Sequence, residues 1–352
     1  MPAYVDALLD EAALSGCAGE RVETVFVGGG TPSILPPPLF ARLMTGLREV
    51  FDVAPGAECT SEANPGTVTA EWLDAAVSGG INRLSPGMQA AQPRLLRALG
   101  RIHTPDQVAE SVRLARAAGI GNLNLDLMFG LPGQTLSDWA ETLDEALACR
   151  PQHLSCYGLI PEEGTTLKAD LDRGALRLPE EEDERAMYDG AIRTLAAAGF
   201  RQYEISNFAL PGRACRHNIG YWTQVPYLGL GASAASMLPD PSGQAVCLRR
   251  TNPREIPAWL EMVRNRAFGA REEERINREE AMFETLMLGL RLTEGVSEAA
   301  FRRMHGISLE AWRGPVLRSL AERGLLAREG ERWKMTRRGM DVQNMALVEL
   351  MG

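Results

Sequence analysis

The sequence predicts an α/β fold: β/α units building a parallel sheet, then a C-terminal helical domain of winged-helix order. Three observations predict it. Short apolar, β-rich runs alternate with amphipathic segments through roughly the first two hundred residues, which is the pattern of β/α units. The strand candidates end in polar or glycine-rich tails (GGGT, SEANP, MQA, DLMFG), at the edge where barrel-type sites are built. From about residue 273 the texture changes to charged helices and closes on a hairpin-like stretch.

Strands are expected at residues 22–27, 58–62, 83–85, 123–128, 153–158 and 203–205. Helices are expected between them at 38–51, 70–78, 105–118, 136–148 and 180–198. Two of these run into the glycine that favours a C-terminal cap, in RAAGI and LAAAGF. The chain opens on a helix, residues 2–14, with no strand before it, so either the fold is open there or a first strand is missing. Residues 229–270, with LPDPSGQ among them, read as loop plus crossover. Beyond them EEERINREEAMFETLMLGLRL, SEAAFRRMHG and LEAWRGPVLRSLAERGLL read as helices, and EGERWKMTRRGMDVQNMALVEL as a wing and a last helix. The expected division is a barrel-type domain at 1–235, a connecting segment at 236–272 and a winged-helix-like domain at 273–352.

Charge and spacing exclude several functions. A net charge of -9 argues against a nucleic-acid partner, because phosphate binding needs clustered Lys and Arg. The C-terminal helices mix acids with bases, which favours packing over DNA reading. There is no apolar run long enough to span a membrane, and MPAYVDALLDEAA lacks the plan of a signal peptide, so a cytosolic address is expected. The 6 cysteines, at 17, 59, 149, 156, 215 and 247, form no CxxC or CxxxC pair, and the 4 histidines form no HExxH.

The residues that could carry chemistry lie at strand ends. Gly28, Gly29 and Gly30 allow backbone N–H groups to approach a ligand, although a plain turn explains them equally well. Their spacing is not GxGxxG, and Pro32 interrupts helix entry, so a Rossmann site is not supported. Glu62 could accept two ribose hydroxyls or simply cap a turn. Gln89 ends the next strand, and Arg101 offers a donor fork suited to a carboxylate or a solvated charge at a helix end. Asp126 stands in the apolar strand NLNLDLMFG, where an acid is costly unless something polar meets it. CRHNIGYW places Cys215, His217, Tyr221 and Trp222 within eight residues; sulfur and imidazole are axial ligands for haem iron, and aromatics can flank a porphyrin. A hydrogen-bonded loop histidine beside two core aromatics is the plainer alternative.

Taken in order, these motifs resemble a known family. GGGTPS, EANPGT, RLSPGMQA, LGRIHT, NLDLMFGLPGQT, HLSCYGLIPEEGT and YEISNFA resemble radical-SAM enzymes of the oxygen-independent coproporphyrinogen III oxidase group. CRHNIGYW followed by YLGLGASA looks like that group's haem-chaperone branch, often called HemW. The similarity continues through EEAMFETLMLGLRLTEGV and so spans nearly the whole chain. The resemblance implies a partial (β/α) TIM-like barrel holding S-adenosylmethionine across its strand ends. Gly29, Gly30 and Thr31 would hold the methionine end, Glu62 the ribose, and Gly158 the adenine through its backbone. Gln89, Arg101 and Asp126 would complete the pocket, with haem near Cys215 and His217. The implied function is haem uptake and delivery to a haem-accepting protein, one that could be membrane-associated; the rival is anaerobic coproporphyrinogen III oxidation.

The chain departs from the family in one defining respect. The family's three-cysteine CxxxCxxC motif, which binds a 4Fe-4S cluster just after the first barrel strand, does not occur here. The expectation is a barrel lacking its first strand and its cluster loop together, through an N-terminally truncated start; a natural cluster-free relative is the alternative. Pro86, where the family commonly carries an aliphatic residue, is a smaller departure that removes a ladder donor.

Overall fold

The computed structural model describes residues 1–352. Its contacts divide the chain into two compact units. The first comprises Gly19–Gln202 and Ser206–Cys215, with Met1; the second comprises Pro2–Ala18, Tyr203–Ile205 and Arg216–Gly352. The opening helix α1 (Pro2–Leu14) therefore belongs to the second unit, as does the stretch from 216 to 235, whereas sequence texture had grouped both with the barrel.

The first unit is one curled seven-stranded sheet covered by helices. Along the chain it runs β1 (Arg21–Val27), α2 (Pro37–Val50), β2 (Asp52–Ala63), α3 (Ala70–Ser78) and β3 (Arg83–Gln89). Next come α4 (Pro93–Ala98), α5 (Pro105–Ala117), β4 (Asn122–Phe129), α6 (Leu136–Ala148) and β5 (His153–Gly158). It closes with α7 (Thr166–Asp172), α8 (Glu181–Ala197), β6 (Arg201–Gln202) and β7 (Asn207–Ala209). The strand order is β1-β2-β3-β4-β5-β7-β6, parallel from β1 to β5 and antiparallel from β5 through β7 to β6.

Local chemistry explains the helix starts. Thr104 with Gln107 and Thr135 with Asp138 form reciprocal capping boxes at α5 and α6, satisfying two orphan N–H groups at each end. Alternation then sorts the strands into two faces. Cys59, Ala63, Leu84, Met88, Leu123, Leu125, Leu127, Leu154 and Cys156 pack in one core with Trp72, Val112, Trp139, Leu143 and Leu195 of the covering helices. The intervening residues point to the opposite, inner face, and they are polar.

The structure corrects four expectations. Residues 203–205 are not a strand; the short strands β6 and β7 flank them, and Glu204 forms only an isolated bridge with Leu292. Strand β3 continues to Gln89 through Pro86 and Gly87, with a register shift between Gly87 and Gln89. The connecting segment is structured: after α9 (Arg216–Trp222), strands β8 (Ala235–Pro239) and β9 (Cys247–Thr251) are followed by α10 (Ile256–Arg264). EEERI is not helical but forms β10 (Glu272–Ile276), completing an antiparallel sheet of order β10-β9-β8. Cross-strand ion pairs stand in for apolar alternation there, with Arg250–Glu273 at 2.8 Å and Arg249–Glu274 at 3.1 Å.

The rest of the second unit runs α11 (Arg278–Gly289), β11 (Val296–Ser297), α12 (Glu298–His305), α13 (Leu309–Glu322), β12 (Leu326–Glu329), β13 (Arg332–Met335), α14 (Arg337–Asp341) and α15 (Gln343–Met351). Helix α11 starts where Asn277 caps the N–H groups of Glu279 and Glu280. Leu286, Leu290, Phe301, Leu317, Leu320, Trp333 and Leu350 share its core.

One buried carboxylate joins α1 to the rest of this unit. Glu11 is 0% exposed and accepts from Gly231 N–H at 2.8 Å, Asn252 Nδ2 at 2.7 Å and Trp259 Nε1 at 3.1 Å. Arg271 completes the set at 2.9 Å. Removing one member of a buried pair leaves the other charge uncompensated. Glu11→Ala should therefore destabilise the second unit by about 3 kcal/mol or more, read by urea denaturation followed through tryptophan fluorescence.

Candidate functional site

Strand alternation places a polar row on the inner face of the sheet. Glu58, Thr60 and Glu62 come from β2, Arg83 and Ser85 from β3, Asn124 and Asp126 from β4, and His153 and Ser155 from β5. Asn124 Nδ2 donates to Ser85 Oγ at 2.7 Å and to Asp126 Oδ1 at 2.8 Å. Its Oδ1 faces His153 Nδ1 at 2.6 Å and accepts from Ser155 Oγ at 3.2 Å. Ser85 Oγ also donates to Asp126 Oδ2 at 3.3 Å. The Asp126 carboxylate is thus held in one orientation while remaining partly accessible.

Glu62 stands beside the glycine turn. The Gly29 N–H donates to its Oε2 at 3.2 Å, and Gly29 adopts φ +78°. A Cβ on Gly28 would lie 2.6 Å from the Phe26 ring and 2.8 Å from the Glu62 carboxyl carbon, so glycine is required for this approach. No atom lies within 4 Å of where a Cβ would stand on Gly29 or Gly30. Thr31 follows at the start of a short 3-10 turn and is partly buried.

Burial sets the electrostatics. Desolvation, then the neighbouring Asp126 charge, pushes the Glu62 carboxyl above its ordinary range, against the Gly29 hydrogen bond. Asp126 is also raised by burial, opposed by the hydrogen bond from Asn124, the Arg83 charge and Ser85. Burial, and then Arg83, holds His153 well below the usual imidazole range, so it is neutral. Two acids on one face of the sheet that feel each other's charge are poised to accept donors: hydroxyls, an amine or an ammonium.

The other expected residues lie around this pair. Gln89 is buried with φ 64° at the end of β3, and its Nε2 would lie 2.7 Å from a Cβ on Gly87. Arg101 is exposed in the loop after α4. Gly158 closes β5 against Phe129 and Glu184, where a Cβ would meet both at 3.3 Å. Glu62 and the glycine turn are brought together directly and Asp126 shares their side of the sheet, while Gln89 and Gly158 close neighbouring strands and Arg101 lies in the loop after α4. Arg83, Ser85, Asn124, His153 and Ser155 were not expected; the strict alternation of polar residues with leucine in NLNLDL, and in HLS, was the signal for them.

The segment expected to meet haem is divided in character. Cys215 is 4% exposed, and its thiol donates to Glu58 Oε1 at 3.3 Å. In α9, His217 Nε2 lies 2.9 Å from the Tyr221 hydroxyl, and Tyr221 meets Tyr227 edge-on at 4.8 Å. Trp222 lies under the Arg291 guanidinium at 4.5 Å. The residues present do not fit a 4Fe-4S cluster: no three Cys, His, Asp or Glu side chains are grouped to hold a metal. They do fit an adenosyl ligand, through the open glycine backbone and the two carboxylates. No helix is long and apolar enough to cross a membrane.

Comparison with known proteins bears on the family and the fold. The family model of the Radical SAM superfamily matches residues 4–146, and that of the HemN C-terminal domain matches residues 276–342. The heme chaperone HemW of Bacillus subtilis is 35% identical over 332 residues, covering 94% of this chain and 86% of that protein. HemW of Escherichia coli is 34% identical over 352 residues, covering 99% and 89%. The solved structure of coproporphyrinogen III oxidase (HemN) from Escherichia coli, a radical SAM enzyme, superposes with a TM-score of 0.81 at 23% identity. It covers 98% of this chain and 82% of its own, which establishes the shared fold.

The raised Glu62 carboxyl has a testable sign. Its folded value lies above the unfolded one, so the native state holds the extra proton and stability falls as pH rises through that window. Glu62→Gln, which keeps an acceptor for Gly29, should therefore raise the melting temperature of the ligand-free protein at neutral pH. Its advantage should vanish below the ordinary carboxylate range, as thermal unfolding across pH would record.

Proposed function

Because the chain belongs to the HemW family of the radical SAM superfamily, we propose that it is a haem chaperone that binds S-adenosylmethionine and passes haem to a haem-requiring protein. The observation that carries the nucleotide half is the Glu62–Asp126 pair beside the open glycine turn. In this reading Gly29, Gly30 and Thr31 meet the methionine end and Glu62 the ribose. Asp126, Gln89 and Arg101 line the remainder, and the Gly158 backbone meets adenine. When bound to an iron–sulfur cluster, S-adenosylmethionine supplies radical chemistry; the residues of this chain bind and orient the ligand.

For haem, the surroundings favour His217 over Cys215. The Cys215 thiol is buried and occupied by Glu58, whereas His217 is partly exposed, beside a tyrosine that can steady its ring. Ligation through Nε2 would require the Tyr221 hydroxyl to move aside. Tyr221 and Trp222 would border the macrocycle. The acceptor is a haem-requiring protein, and a cytosolic address with no nucleic-acid role belongs to the same proposal.

The C-terminal elements support a winged-helix-like domain used for packing. Helix α13, in the place of a DNA-reading helix, has its basic residues engaged: Arg318 pairs with Glu310, and Arg313 with Glu279 at 3.0 Å. The rival reading is coproporphyrinogen oxidation, and CRHNIGYW at residues 215–222 favours the chaperone branch over it.

Three measurements test the proposal. Asp126→Asn should weaken S-adenosylmethionine about tenfold or more by calorimetry, because a charge-assisted acceptor is lost; unchanged affinity would remove Asp126 from the site. Haem titration followed by Soret absorbance should show a large loss for His217→Ala and little for Cys215→Ala, and the reverse order would exchange their roles. Anaerobic reconstitution of the 352-residue chain with iron and sulfide should give no four-iron stoichiometry, and a full complement would refute that expectation.

A further inference from the structure

Among the chain's 37 Lys and Arg residues, Arg83 is the only buried one. It is 2% exposed, at the start of β3, in a row of adjacent residues with Thr60 of β2 and Asn122 of β4. Its Nε has no hydrogen-bond partner, nor have Thr60 Oγ1 and Asn122 Oδ1 beside it. A guanidinium cannot shed its charge in a protein, so burying it without a salt bridge is costly unless its field serves nearby anions.

Those anions share its face of the sheet. Leu84 and Met88 point into the helix-covered core, which leaves Arg83 and Ser85 on the inner face. Ser85 bonds Asp126 directly, and Arg83 acts on both Asp126 and His153 through space. The ionisable groups on the same face as Asp126 are Glu58 and Glu62 from β2, Arg83 from β3 and His153 from β5, while Cys156 of β5 points into the helix-covered core. His153 is neutral, and Glu58 and Glu62 are acids. Arg83 is the one cation in that set.

We infer that Arg83 is a positioning residue whose buried guanidinium is the counter-charge that keeps the Asp126 carboxylate ionised and able to accept from a bound ligand. The inference rests on the proposed role of Asp126 in cofactor binding. It explains why two neighbouring acids can share the inner face, and why an unpaired arginine lies beneath them rather than a salt bridge to either. A direct ion pair would occupy the oxygens that the ligand needs, whereas a guanidinium acting through space leaves them free.

The test compares Arg83→Met, which keeps the length and loses the charge, with Arg83→Lys, which keeps the charge. A carboxyl-selective NMR titration should find that Asp126 takes up its proton at higher pH in Arg83→Met, and near the wild-type position in Arg83→Lys. Calorimetric titration with S-adenosylmethionine should show the acid limb of binding moving with it. Affinity near pH ~6 should fall about tenfold in the Met variant and recover at alkaline pH. Should Arg83→Met fail to fold, Arg83→Gln carries the same comparison. A folded, neutral variant whose Asp126 titration stays in place would overturn the inference. If wild-type protein does not bind S-adenosylmethionine, the cofactor reading falls, while the Asp126 titration still decides the role of Arg83.

Discussion

The carboxamide of Asn124 is the interaction on which the inner face depends. A primary amide has two donors and two acceptor positions, and all four are used here. Its nitrogen serves Ser85 and the Asp126 carboxylate, which fixes which end is nitrogen; its oxygen must then take the hydrogens of Ser155 and His153. The His153 proton is thereby assigned to Nδ1, in keeping with a neutral, buried ring. Three strands are held in register by one side chain, and Asp126 is aimed by the same contacts. A sheet with one face against helices and the other lined by polar groups stays folded only if those groups satisfy one another.

That constraint also separates the two carboxylates. Asp126 is surrounded by donors, so its charge is partly compensated from within the fold. Glu62 has one backbone N–H from a glycine turn and a like charge for a neighbour. The first acid is built in and the second is left short of donors. An incoming ligand with hydroxyl or amine hydrogens supplies at Glu62 what the protein withholds, so electrostatic cost in the free state becomes affinity in the bound one.

Much of this was legible in the sequence, and the rest was hidden for physical reasons. Helices α1, α3 and α6 fall at their expected bounds, and Thr69 and Thr135 are the N-caps that mark the last two. Strand β3 was expected over 83–85 and Pro86 was noted as a lost ladder donor, yet the strand passes through Pro86 and Gly87 before shifting register at Gln89. Strand β10 read as helix because EEERI has no apolar alternation; ion pairs with β9 hold it instead, which only the partner strand reveals. Glu62, Asp126 and the glycines were found at strand ends, where polar residues draw notice. Arg83, Asn124 and His153 lie deeper in the sheet, where a polar residue beside leucine reads as a solvent-facing position. Period two distinguishes two faces but does not say which is wet.

The placement of these residues then follows from strand geometry. Side chains two apart on one strand share a face, roughly 7 Å from each other. A ligand at the strand ends touches only the last such position on each strand, so residues one step deeper act on it through those above. Glu62 and Asp126 lie nearer the ends of β2 and β4, while Thr60 and Asn124 lie on the same strands further in and Ser155 stands level with Asp126. Motif resemblance picks out the outer level because those residues would meet the ligand. The inner level carries the hydrogen-bond capacity and the single buried cation that give the outer level its charge and direction. A substitution there alters how the site binds without removing any group that touches what it binds.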